Sequence, residues 1–483
     1  MRILFIYPNL GTGEIPLNLS YLTSILKNDG CEVRVFDTSI YSKYSQRGDS
    51  QQTSVGQFKE IHKRSDAEVV LKDTDPVQDL IDLICNFKPE LICVTSFTHN
   101  FKLGLSLLTE VKKHFDIPTI FGGVHTTLVP DSVISEPSVD MICVGEGEKM
   151  LLELSRNPNK TDIKNLWVKK DGQVIKNPLR PLVDLDKLPF QDFDGYADFN
   201  FFRPLAGELY KSASVEVSRG CPYKCSYCVN HSFQKLYKGL GNYHRVKSID
   251  KAIDNIVHLK NKYNIELIRF WDEDFTTLPI SYLREFSKEY IDKINLPFLI
   301  YARVDTITQE KVDLLKDMNC ITIAMGIESG SRRVREEVLN RNMTDDKIID
   351  SFAMVKNAKI RCSAYNMIGL PHETREDIFK TIELNRLCKP DSSSIAFLEP
   401  YPNTEIFNDC VRSGYVDPDY VATFDFFNPH ISEKLISHDE LRGLLKTFML
   451  YVKAPKIFRP LIRLCEQGND LLYKILIKIF RGK

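Results

Sequence analysis

Three cysteines, Cys221, Cys225 and Cys228, stand in one short run, SRGCPYKCSYCVN. Thiolates at CxxxCxxC spacing can hold three irons of a four-iron cubane and leave the fourth iron without a protein ligand. A substrate or cofactor can coordinate there, so the spacing points to chemistry more than to electron storage. A cluster ligated at all four irons needs a fourth cysteine, and the nearest later one, Cys320, lies inside an apolar run. The competing readings are a zinc site and three unrelated thiols. Zinc favours two sets of paired CxxC cysteines, and no second pair is present.

The elements that must position this loop follow from its surroundings. ASVEVS (212–217) reads as a short strand, with Val215 and Val217 alternating with polar residues. The triad, with Tyr227 just before its last cysteine, resembles the signature of the radical S-adenosylmethionine (SAM) enzymes. Those enzymes place the loop after the first strand of a partial (β/α) barrel. The resemblance implies a four-iron four-sulfur cluster, SAM chelated to its open iron, and cleavage of SAM to a 5′-deoxyadenosyl radical. The protein's share is to orient the cofactor and exclude side reactions.

At 483 residues the chain exceeds one ordinary core, so two or three domains are expected. The net charge of −1 carries no footprint of nucleic-acid binding. Of 12 cysteines, most outside the triad lie in apolar runs; Cys85, Cys93 and Cys143 read as small buried residues. RILFIYP is strand-like and ends at Pro8, so it does not read as a signal peptide. No apolar stretch has the length that spans a bilayer. A cytoplasmic, reducing location is expected.

Residues 1–150 alternate strands (2–7, 31–38, 89–97, 116–125, 139–148) with helices (17–28, 76–87, 101–115), which predicts an α/β, doubly wound parallel sheet. A flavodoxin-like order would put its ligand crevice at the carboxyl ends of the strands. Residues 41–74 interrupt the pattern as a polar excursion. The candidates at the strand ends are Ser96, Thr98, His99, Asn100, Gly122, Gly123, Gly145 and Gly147. Glycines there let backbone approach a large ligand, or simply make tight turns. PLNLSYLTSILKNDGCEVRVFDT, FGGVHTTLVPD and VGEGE resemble the cobalamin-binding domain fused to many radical SAM enzymes. One departure is that none of the ten histidines stands in a DxHxxG context. By that resemblance, the lower axial position of cobalamin would not be a protein histidine.

Residues 151–210 read as a linker with a hairpin at Asp171-Gly172. From 211 to 400, six strand candidates (212–217, 267–274, 298–305, 321–330, 361–371, 392–400) match the partial (β/α)6 barrel, whose site gathers at the strands' carboxyl ends. By resemblance, Glu273 or Asp274 accepts from the SAM ammonium. Arg303 pairs with the methionyl carboxylate, a task suited to guanidinium. Glu328 and Ser329 resemble the ribose-proximal residues of the family's GIESGS motif, and Tyr227 belongs to the same cofactor set. GLPHET (369–374) departs from the family's GLPGET turn at His372. Residues 401–483 read as a helical C-terminal region. Over 451–483 there are eight Lys/Arg against two acids, and Leu472, Ile475, Leu476, Ile479 and Phe480 form one helical stripe. Such a helix either docks on the barrel or lies on an anionic membrane surface.

The resemblance as a whole implies a cobalamin-dependent radical SAM enzyme that methylates an unactivated carbon of a small-molecule or lipid-like substrate. An electron donor such as flavodoxin or ferredoxin would serve it. Hydrogen abstraction by the radical needs no side-chain base, and none is assigned. The alternatives are a non-methylating enzyme (ring contraction, cyclisation or oxidation), a methylthiotransferase with a second cluster, and a non-catalytic cobalamin carrier.

Overall fold

The computed structural model describes residues 1–10, 15–44, 57, 61, 62, 64, 67, 70–423, 425 and 427–480. Its N-terminal sheet contains β1 (Arg2–Tyr7), β2 (Glu32–Asp37), β3 (Leu91–Thr95), β4 (Thr119–Gly122) and β5 (Met141–Cys143). They run parallel in the flavodoxin-like order β2-β1-β3-β4-β5. A parallel strand covered on both faces must be apolar throughout. Accordingly, every residue of β3, and of β1 after Arg2, is buried. The two faces carry separate cores, one around Ile92, Val94 and Phe121, the other around Ile3, Phe5 and Cys93.

The hairpin β6 (Leu166–Lys170) and β7 (Gln173–Lys176) adds to β5 antiparallel, so the sheet continues well past residue 150. Asp171 (φ 51°) and Gly172 (φ 74°) supply the left-handed pair that a two-residue turn requires. Cys85 corrects the expectation of burial: it is exposed. It lies on the outer side of the helix Pro76–Phe87, which buries Leu80, Ile84 and Phe87 instead.

Most of the expected polar excursion lies outside the described residues. The parts described reach the second sheet. Gln57 is buried and uses its side-chain amide as a strand would: Nε2 donates to Ile395 O (3.2 Å) and Oε1 accepts from Ile395 N (3.1 Å). His62 N donates to Gly207 O (2.7 Å), and Arg64 pairs with Glu266 (2.6 Å).

The second sheet contains β8 (Phe202–Leu205) and β9 (Glu208–Val215). After β9 comes a two-residue ladder of β10 (Ser218–Arg219) and β11 (Arg245–Val246) that brackets the cysteine loop. Then follow β12 (Leu267–Phe270), β13 (Phe298–Arg303), β14 (Cys320–Glu328), β15 (Arg361–Ile368) and β16 (Ser392–Phe397). Six strands, β9 and β12 to β16, are parallel and adjacent in chain order, with β8 antiparallel at one edge. The result is a curled half-barrel. Ser248, Thr308, Thr344 and Thr374 cap its helices through their hydroxyls, each accepting from a first-turn N–H. The core lies on the convex face, where Phe270, Ile300, Met325 and Ala364 meet the helices.

The C-terminal region is helical: His438–Lys453, Arg459–Glu466 and Asp470–Phe480. The expected single stripe on the last helix is divided. Tyr473, Leu476 and Phe480 are buried with the preceding helices, whereas Ile475 and Ile479 are exposed. Among the described residues, no helix is long and apolar enough to cross a membrane.

Candidate active site

The cysteine loop sits at the mouth of the half-barrel and is tied down from several directions. Gln234, on the helix Val229–Leu236, donates to Cys221 O (2.6 Å) and Tyr223 O (2.7 Å). Ser226 N donates to Leu339 O (3.1 Å), and Asn340 Nδ2 donates to Lys224 O (2.8 Å). Asp272, two residues past β12, is buried and accepts from Ser218 N and Ser218 Oγ (both 2.5 Å). Burial pushes the Cys221 thiol up to about 12 and the Cys228 thiol up to about 11. Such thiols ionise when iron supplies the compensating charge. Cys228 also N-caps its helix, whose partial positive end favours an anionic group. Among the described residues, no three Cys, His, Asp or Glu side chains converge on a single metal ion.

The acidic trio after β12 divides by partner. Asp274 is buried; Oδ1 accepts from Thr276 N (3.0 Å) and Thr276 Oγ1 (2.6 Å), and Oδ2 from Thr306 Oγ1 (3.1 Å). Its acceptors are spent on the loop. Glu273 is solvent-accessible at the surface, yet desolvation pushes its carboxyl up, a rise that the neighbouring Asn230 amide opposes. Glu273 therefore fits a cationic ligand better than Asp274 does.

Arg303 points at the cluster loop. Nη1 donates to Cys225 Sγ (3.1 Å), Nε and Nη2 hold Asp305 (3.0 and 2.9 Å), and the guanidinium lies 3.7 Å from the Tyr223 ring centre. Glu328 has φ 63° at a register shift in β14. Its carboxylate accepts from the Tyr227 hydroxyl (3.3 Å) and lies 3.9 Å from Arg341. Sequence reasoning missed Arg341, because it belongs to no strand end or motif. It is buried, donates to Tyr227 Oη (3.1 Å) and Gly326 O (2.8 Å), and keeps Nε without a partner. Ser329 is placed elsewhere: it is fully buried, its hydroxyl 3.5 Å from Thr381 on the helix Arg375–Cys388.

At the carboxyl edge of the N-terminal sheet, Asn9 Nδ2, Ser39 Oγ and Ser96 Oγ are buried without hydrogen-bond partners. Orphaned polar atoms at this edge fit a polar ligand laid across it. His99 stacks parallel on the exposed Phe97 ring (5.7 Å), and burial holds its imidazole down to about 4, so it is neutral near pH 7. Thr98 turns inward to His125 Nδ1 (3.2 Å). Gly123 (φ 100°) brings β4 against β3: a Cβ there would lie 2.5 Å from Ser96 O. Gly122 and Gly147 have room for a side chain.

The VGEGE run joins the two domains. Glu146 accepts from Arg245 Nη2 (2.5 Å), Arg219 Nη1 (3.3 Å) and Val183 N (2.8 Å), while Glu148 accepts from Arg219 (2.7 Å). Those two arginines face each other across the β10–β11 ladder beside the cysteine loop. Lys247 is buried there, donating to Tyr21 Oη (2.7 Å) and Glu216 O (2.6 Å).

Comparison with known proteins matches both domains. The family model "B12 binding domain" matches residues 6–155, and "Radical SAM superfamily" matches residues 215–384. An uncharacterized methyltransferase of Pyrococcus horikoshii is 23% identical over 479 residues, covering 95% of this chain and 94% of that protein. The anaerobic magnesium-protoporphyrin IX monomethyl ester cyclase of Rubrivivax gelatinosus is 24% identical over 450 residues, covering 88% and 72%. The solved structure of OxsB, a cobalamin-dependent S-adenosylmethionine radical enzyme with aqua-cobalamin and SAM bound, shares the fold. It matches at TM-score 0.68 and 16% identity, over 100% of this chain and 71% of that one. With both models matched in this order, the chain carries a B12 binding domain followed by a radical SAM superfamily domain.

Proposed function

We propose that this enzyme is a cobalamin-dependent radical SAM methyltransferase acting on an unactivated carbon of a small molecule. When bound, the cluster, SAM and cobalamin would supply an electron, a 5′-deoxyadenosyl radical and a transferable methyl group. Cys221, Cys225 and Cys228 would hold the cluster. Glu273 would accept from the SAM ammonium, Arg303 and Arg341 would face its carboxylate, and Glu328 with Tyr227 would face the ribose. Ser96, His99 and the backbone at Gly122 and Gly123 would receive cobalamin.

The observation that carries this reading is the joining of the two sites. The arginines flanking the cysteine loop bind Glu146 and Glu148 of the B12 binding domain, which holds the loop beside that domain. The test is anaerobic reconstitution with iron, sulfide and hydroxocobalamin, then SAM, a reductant and candidate substrates. Retained corrin and iron–sulfur absorption, 5′-deoxyadenosine, and a product heavier by one methyl group are expected. A product without added methyl would move the enzyme to the cyclase side, which the Rubrivivax relative represents. A cluster without retained corrin would end the cobalamin assignment.

A further inference from the structure

The last two described helices, Arg459–Glu466 and Asp470–Phe480, pack on each other and on the helix His438–Lys453. One side of each is buried: Ile462, Cys465, Tyr473, Leu476 and Phe480 enter a single core. The opposite side is apolar as well. Ile457, Leu461 and Leu464 recur at spacings of four and three residues, and all are exposed, Ile457 to 83%. On the following helix Leu471, Ile475 and Ile479 recur every four residues and are exposed, Leu471 to 74%. Residues three and four apart share a helix face, so each helix carries an outward aliphatic stripe. A helix at the surface of a globular protein turns polar residues to water. Scattered exposed aliphatics are common, but six on two adjoining helices mark a surface that something covers.

The charges within the second stripe have one sign. Lys474 and Lys478 stand three and seven residues after Leu471, on the same side of the helix as Ile475 and Ile479. Both are exposed, and neither forms an ion pair among the described residues. Asp470, at the edge of the stripe, is held by Lys446, with Lys474 a lesser neighbour. A second copy of the chain fits this face poorly. A two-fold contact would set the two lysines against their own copies, with no acid on the stripe to pair them. An anionic lipid surface suits every member. Aliphatic side chains enter the boundary between headgroups and acyl chains, while lysine stems lie along it and carry their ammonium groups out to phosphate. The last helix has 11 residues, a length of about 16 Å against a hydrocarbon core of about 30 Å, so it can lie on a bilayer but not cross one.

We propose that the outward face of these two helices rests on an anionic phospholipid surface, with Leu471, Ile475 and Ile479 in the acyl boundary and Lys474 and Lys478 on headgroup phosphates. Ile457, Leu461 and Leu464 extend the apolar contact onto the neighbouring helix. The attachment is peripheral and weakened by salt, because it joins apolar burial to exposed charges. It stands on these helices alone and does not depend on the radical SAM reading.

The anaerobically reconstituted full chain should co-sediment with vesicles of equal parts phosphatidylcholine and phosphatidylglycerol, and far less with phosphatidylcholine alone. Lys474→Gln/Lys478→Gln should weaken partitioning to the mixed vesicles roughly tenfold or more at low salt. Ile475→Ser/Ile479→Ser should weaken it as well. Ile291→Ser, which alters a similarly exposed aliphatic on the barrel helix Ile280–Lys293, should leave it at the parental level. Melting temperatures should stay near parental in all three variants, since the altered side chains are exposed. No co-sedimentation, equal binding to phosphatidylcholine alone, or unchanged binding in either double variant would each overturn the membrane assignment. A parent that is dimeric by light scattering without vesicles, and monomeric as Ile475→Ser/Ile479→Ser, would give the face to a second copy instead.

Discussion

The Tyr237 hydroxyl occupies the place where a side chain on Gly145 would stand: a Cβ built there lies 2.0 Å from it. Glu146 N donates to the same oxygen at 2.8 Å. Tyr237 ends the helix that begins at Cys228, so the cluster helix is keyed directly to the B12 binding domain.

Gly145→Ala should therefore disturb domain docking. It adds both the overlap and a side chain at φ 86°, together worth roughly 1–3 kcal/mol. Tyr237→Phe removes one hydrogen bond, about 1 kcal/mol. Corrin retained after desalting should fall in Gly145→Ala and stay near parental in Tyr237→Phe. Equal retention in both variants would show that the contact does not set domain position.

Glu273 and Asp274 should separate into a ligand contact and a loop support. Glu273→Gln should weaken SAM binding ten- to a hundredfold, the loss of a charge-assisted hydrogen bond, with the melting temperature nearly unchanged. Asp274→Ala strips three donors of their acceptor and should lower stability by roughly 1–3 kcal/mol. Equilibrium binding of SAM and thermal melts on the same preparations distinguish the two; the reverse pattern would exchange their roles.

Two glycines beside Glu328 offer a second contrast. A Cβ at Gly326 would lie 2.1 Å from Glu328 Oε1, the movable end of a side chain, whereas one at Gly330 would lie 2.3 Å from the Lys380 backbone carbonyl oxygen. Gly326→Ala should displace the carboxylate and lower SAM affinity with little loss of stability. Gly330→Ala should instead cost roughly 1–3 kcal/mol, because backbone must move. Urea midpoints measured beside SAM titrations will show whether the two effects part in this way.

His125 links the N-terminal core to pH. It is 3% exposed, and burial holds its imidazole down to about 4 against an unfolded value of 6.5. Between those values the unfolded chain binds a proton that the folded one excludes. Stability is therefore full above pH 6.5 and falls as pH drops toward 4, by about 3 kcal/mol from this group. His125→Gln should flatten that part of the urea-midpoint profile; an unaltered profile would mean that the acid loss comes from other groups.

The sequence by itself determined the cysteine triad, the doubly wound and half-barrel alternation, and the strand-end positions of Glu273, Arg303 and Glu328. Those signals are local: spacing on one loop, hydrophobic period along one strand, and a break where each strand meets its loop. It could not separate Glu273 from Asp274, because adjacent carboxylates are told apart only by which one the folded loop consumes. It could not show Ser329 turned toward the helix Arg375–Cys388, or Arg341 brought to Tyr227 from a segment with no pattern of its own. The conversion of Glu146 from a strand-end residue into a joint between domains was also hidden, since its partners Arg219 and Arg245 are distant in the chain. Tertiary structure decided these matters because a polar side chain's role is set by its nearest opposite charge or donor, and the fold alone chooses that neighbour.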